Sequence, residues 1–176
     1  KRSNIREEEI LELALKSAEV GANSYSEIIL GLPGDTREAH ERSLQQIVDA
    51  GFTNVYTWQL MLLPGSELET PASREKFQFT TAFRVLPRCF GKFRIFGESI
   101  ASAEVEEIAI GNPGLDANDY HRIRKLHLII AIFYNDGLMS PFLKLLRKLD
   151  ISPFAWLKKL VEAKPSYPIW EDISTL

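Results

Sequence analysis

Two short stretches hold residues whose types and spacing can do chemistry. In SEIILGLPGDT, residues 26–36, an acid stands at the near end of a β-branched run that closes in Gly-Leu-Pro-Gly. Strand alternation sets Tyr25, Glu27, Ile29 and Gly31 on one face and Ser26, Ile28 and Leu30 on the other. A strand inside a parallel sheet is normally apolar on both faces, so a carboxylate there needs donors or a wet cavity. Ribose hydroxyls would satisfy it, with Ile29 as an apolar wall for a base and Gly31 leaving room at the strand end. A salt bridge to a nearby Arg or Lys would satisfy it equally. In the second stretch, VYTWQLML, Thr57, Gln59 and Met61 share one face, while Tyr56, Trp58, Leu60 and Leu62 share the other. A Thr/Gln pair flanked by aromatics suits a barrel lumen facing a ligand, and it also suits an exposed face.

Other candidates carry less. GLPGDT lacks the spacing of a phosphate-cradling loop, whether GxxxxGK[ST] or GxGxxG. Pro33-Gly34 reads instead as a type II turn, with glycine at the position that needs a positive φ. His40, His121 and His127 fall on predicted helices without the spacing of metal ligands, which makes them core or surface histidines. Cys89 has Arg88 as basic company but no evident general base. As the lone cysteine it excludes an intrachain disulfide and a self-contained three- or four-cysteine metal site, and it points to a reduced, cytoplasmic setting. Lys144, Arg147, Lys148, Lys158, Lys159 and Lys164 make the tail basic, as a solvated helix face or as a contact for an acidic partner.

The elements that must position these residues follow from periodicity. Residues 5–19 have apolar side chains at Ile10, Leu13, Ala14 and Ala18, one face of a helix, with Glu7, Glu8 and Glu9 in its first turn. Tyr25–Leu30 is a strand. A helix led by Asp35 carries Leu44, Ile47 and Val48, and Val55–Leu62 is a second strand. One helix between two strands about thirty residues apart is the length of a βαβ crossover, which implies parallel strands. Residues 66–103 are less regular: a short helix near 73–80, then RVLPRCFGKFRIFG as a loop or hairpin, then a short strand over 105–110. Helices follow at about 116–134, from Ser140-Pro141, and from Ser152-Pro153. The chain thus divides into αβαβ (1–70), an irregular connection (71–115) and a helical extension (116–176).

With 176 residues, 45% hydrophobic and 26% charged, the composition is that of a folded globular unit. A net charge of −3 gives no general reason to expect nucleic acid or anionic lipid as a partner, and no apolar run approaches the roughly 20 residues of a membrane span. The start at Lys1 and the lack of a secretory pattern read as a piece of a longer protein.

EIILGLPGDT, then a helix, then VYTWQLMLLPGSEL resembles the fifth and sixth strands of the radical S-adenosylmethionine (SAM) barrel. The stretches FRVLPRCFGKFRIFGESIASAEVEEIAI and DYHRIRKLHLIIAIFYNDG resemble the C-terminal extension of the class with a cobalamin-binding domain, so the resemblance covers about residues 5–137. It implies a fold: the last strands of a partial parallel (β/α) barrel followed by a helical tail. It also implies chemistry, in which a 4Fe–4S cluster held by CxxxCxxC reduces SAM to a 5′-deoxyadenosyl radical. Carried over, Glu27 lies near the ribose, Ile29 and Met61 lie against adenine, and Gln59 and Gly31 border the same site. CxxxCxxC is absent from this sequence, so the chain alone is expected to hold neither cluster, SAM nor cobalamin. It is expected to need an N-terminal remainder, to act on an unidentified small molecule only as part of that whole, and in isolation either to self-associate or to fold its tail helices over the open barrel face. The competing expectation is a non-catalytic interaction module.

Overall fold

The computed structural model describes residues 7–162; residues 5–6 of the predicted first helix, the side chains of Ile10 and Ala18, and Lys164 lie outside what it describes. The element order is α1 (Glu7–Glu19), β1 (Tyr25–Leu30), α2 (Arg37–Ala50), β2 (Asn54–Gln59), a 3₁₀ turn (Glu67–Glu69), α3 (Pro71–Phe77), β3 (Thr80–Ile95), β4 (Glu98–Gly111), α4 (Ala117–Ile129) running on into a π turn (Ile130–Asn135), α5 (Ser140–Lys148) and α6 (Pro153–Glu162). The chain is mixed α/β, and among the described residues its two sheets do not close into a barrel. β1 and β2 are parallel: Asn54 N–H donates to Ser24 O at 3.1 Å and Leu60 N–H to Leu30 O at 2.9 Å, so the two bonds advance together along both strands.

Two compact units divide the chain. The first takes the chain as far as Ile28, residues 37–58, and the tail from His121. Its core joins Leu44, Ile47 and Val48 of α2 with Val55 of β2, Leu126 of α4, Ile130 of the π turn, Leu143 and Leu146 of α5, and Phe154 and Leu157 of α6. Ile28 packs against this cluster from β1. The tail helices therefore cover α2 and the helix side of β1, not the face that bears Glu27. Their apolar stripes meet the stripe of α2 and the side of β1 and β2 that bears Ile28 and Val55, and leave Tyr25, Glu27, Tyr56 and Trp58 exposed.

Specific bonds fasten the tail. The Asp49 carboxylate accepts from Ser152 Oγ at 2.7 Å and from Phe154 N–H at 3.0 Å, which seats the first turn of α6 on the end of α2. Lys158 reaches Glu41 at 2.7 Å. Arg147 Nη2 donates to Val48 O at 2.9 Å and to Tyr134 Oη at 3.2 Å. Two of the basic tail residues are thus used inside the unit, while Lys144, Lys148 and Lys159 form the solvated face.

The second unit holds residues 29–36 and 59–120. Leu32–Asp35 is the predicted type II turn, with Asp35 N–H on Leu32 O at 2.9 Å and Gly34 at φ 80°. Beyond Gln59 the chain pairs antiparallel with β4: Ala109 N–H donates to Leu60 O and Leu62 N–H to Glu107 O, each at 2.9 Å. β3 and β4 form one long antiparallel hairpin closed by Phe96-Gly97, both at positive φ, the geometry of a type I′ turn. The sequence left residues 84–97 open between loop and hairpin and allowed only a short strand at 105–110. A bulge explains the difficulty: the register shifts between Val85 and Phe90, where Arg88 has φ 67°, and this breaks the alternation a strand is recognised by.

Candidate functional site

In the first unit, the parallel register sets Glu27 beside Tyr56, because a residue donating to the carbonyl of one partner lies opposite the next. The ring of Tyr25 meets that of Tyr56 edge-on at 6.0 Å, so the two strands present these residues on one face. Tyr25, Glu27, Tyr56 and Trp58 are all exposed there, while Ile28 and Val55 turn to the helices. The face expected to look into a lumen through Thr57 is therefore the opposite one. Val55, 1% exposed, anchors the odd-numbered residues of β2 helixward and leaves the aromatic pair Tyr56 and Trp58 with the acid.

The strand edges differ. At Val55 the outer edge of β2 is occupied by a side chain: Asn135 Oδ1 accepts from Val55 N–H and its Nδ2 donates to Val55 O, both at 2.9 Å. The π turn that ends α4 carries both Asn135 and Tyr134, whose hydroxyl bonds Phe52 O. Along β1, Ser24 and Leu30 point their carbonyls at β2, so the backbone groups of Tyr25, Glu27 and Ile29 point the other way. Among the described residues no strand pairs with that edge.

The remaining expected residues lie in the second unit. Ile29 is 41% exposed and Met61, bridged antiparallel to Ile108, is 37% exposed. Gly31 has φ 91°, and a Cβ there would meet Ala109 O at 3.3 Å and Leu60 Cβ at 3.8 Å. Its missing side chain makes room for a neighbouring strand. Gln59 is also engaged: its amide donates to Tyr120 Oη and accepts from Arg84, whose Nε bonds Glu106. Close by in sequence, Arg74 clasps Glu107 through two bonds of 2.8 and 2.6 Å. That hydrogen bonding, helped by Thr81, holds the Glu107 carboxyl down at about 2.

One pairing in the first unit had no signal in the sequence. His40 of α2 and His127 of α4 are 3% and 2% exposed, with Nε2 atoms 2.9 Å apart. Arg124 Nη1 lies 3.2 Å from His127 Nδ1. Burial first, then the electrostatic influence of the neighbouring His40 and Arg124, pushes the His127 imidazole down to about 2. One ring nitrogen donates to the other, a packed polar contact in which His127 is neutral. The 2.9 Å separation leaves no room for a metal ion between the two Nε2 atoms.

Among the described residues no three His, Cys, Asp or Glu side chains converge as metal ligands, and no single helix is long and apolar enough to cross a membrane. In comparison with known proteins, no protein-family model and no curated sequence matches the chain.

Proposed function

We propose that β1 and β2 are the final two strands of a radical SAM barrel wall, and that Glu27 receives the ribose hydroxyls of SAM with Ile29 against the adenine. The observation that supports this most is one-sided burial. The Ser26–Leu30 side of β1 is covered, whereas Tyr25, Glu27 and Ile29 stay exposed on a strand whose outer edge pairs with no strand among the described residues. A free-standing parallel sheet buries both faces, and a barrel strand deprived of its barrel has this pattern. Tyr56 joins Glu27 as a residue facing the nucleoside, and Trp58 follows it on β2. Gln59, bound to Tyr120 and Arg84, leaves the proposed wall.

The donor set fits SAM in part and the cluster not at all. A carboxylate on an exposed strand face can accept both ribose hydroxyls. A site-differentiated 4Fe–4S centre needs three thiolates, and Cys89 is the only one in the chain. Cluster ligation, the SAM amino-group contacts and any cobalamin belong to polypeptide outside this sequence, which makes the chain one wall of an oxidoreductase or transferase. An in-frame CxxxCxxC upstream of the codon for Lys1 supports the enzyme; its absence supports the interaction module.

In the product of the whole reading frame, Glu27→Ala should weaken SAM binding by about 10- to 100-fold, the loss expected for charge-assisted hydrogen bonds. Iron content should not change. Equal SAM affinity in calorimetric titrations of the two proteins removes the role of Glu27.

A further inference from the structure

The hairpin of the second unit has a free end whose two faces differ in chemistry. Register pairs Phe93 with Ile100 and Ile95 with Glu98, while Lys92 lies opposite Ala101 and Arg94 opposite Ser99. Alternation therefore gathers Phe93, Ile95 and Ile100, with Glu98, on one face and Lys92 and Arg94, with Phe90, on the other. The ring of Phe93 folds back over Gly91, within 3.3 Å of where a Cβ would stand, which fills the gap on the apolar face. All these residues are exposed, and from Glu98 to Val105 the whole of β4 is too. At the turn, Phe96 is fully exposed and sits at φ 50°. That position of a type I′ turn favours Asn, Asp or Gly, and an aromatic residue there costs stability without gaining any packing.

We propose that this hairpin end is a peripheral membrane anchor that inserts Phe96 and the Phe93/Ile95/Ile100 face into an anionic lipid surface, with Lys92 and Arg94 on headgroup phosphates. Two observations select lipid as the occupant. The cationic face carries no carboxylate between Phe90 and Ala103, so it is locally basic on a chain of net charge −3. An amphipathic element with Phe and Ile on one side and Lys and Arg on the other matches the interfacial pattern. Glu98, on the apolar face beside the turn, is the group on that face that opposes insertion.

The test is co-sedimentation of the intact chain with phosphatidylcholine vesicles, with and without about 30% phosphatidylserine. Binding is expected to the anionic vesicles and to fall as salt rises. Phe96→Asn is the informative variant, because asparagine suits the turn. It should fold at least as well as the parent yet partition about 10-fold less strongly or worse. Lys92→Glu with Arg94→Glu should abolish the preference for the anionic vesicles, and Glu98→Gln should strengthen binding. Any of three results overturns the anchor: no binding to either vesicle, unchanged partitioning of Phe96→Asn, or concentration-dependent self-association through the hairpin that lipid does not compete away.

Discussion

Replacing Asn135 with leucine should lower the free energy of unfolding by about 2–4 kcal/mol, read from urea midpoints at constant m. Its side chain makes two bonds of 2.9 Å with the backbone of a single residue, Val55, and both groups are partly buried. Losing two such bonds costs about 1 kcal/mol each, and the orphaned N–H and C=O of Val55 add a desolvation penalty of similar size. Leucine cannot replace either partner and brings no donor. Asn135→Asp keeps the acceptor for Val55 N–H and loses the donor, so it should fall between parent and leucine variant. A change below about 0.5 kcal/mol for leucine would mean that water closes the β2 edge without help.

Acidification should destabilise the first unit well before its carboxylates titrate. His127 is held at about 2 against an ordinary 6.5, so the unfolded chain takes up a proton that the folded chain refuses. The stability this supplies is complete above pH 6.5 and is lost as pH falls towards about 2. Between pH 7.5 and pH 5 the loss should reach about 2 kcal/mol from this group alone. Glu107 acts in a lower window, between its ordinary 4.5 and about 2, and so does not mask the effect. His127→Gln should flatten the curve above pH 5, where the parent slopes. A parent whose urea midpoint is unchanged from pH 7.5 to pH 5.5 would show that the buried pair takes up its proton in the folded state.

Much of the front half was legible because its signals are local. Tyr25–Leu30, the Pro33-Gly34 turn, the α2 stripe of Leu44, Ile47 and Val48, and the Pro-led starts of α5 and α6 all lie where periodicity and turn chemistry set them. Three things were hidden for physical reasons. The face of β2 that meets the helices is decided by tertiary packing of Val55, so alternation alone left Thr57 and Gln59 open between a barrel lumen and an exposed face. The hairpin was obscured by its own bulge at Val85–Phe90. His40 and His127 stand on helices far apart in sequence, and Asn135 reaches a strand eighty residues earlier; no spacing rule links such pairs. Of the expected site, Glu27 and Ile29 keep their exposed strand face, while Gly31 and Gln59 prove to be committed to neighbours within the second unit.

The edge of β1 offers the most direct test. Its Tyr25, Glu27 and Ile29 amides point away from β2 and have no strand partner among the described residues. If they are the docking edge of a larger parallel barrel, hydrogen exchange resolved to single amides should find them fast in this chain alone and slowed at least about 100-fold in the product of the whole reading frame. Equal, rapid exchange of these three amides in both proteins would contradict the barrel, and with it the nucleoside role of Glu27.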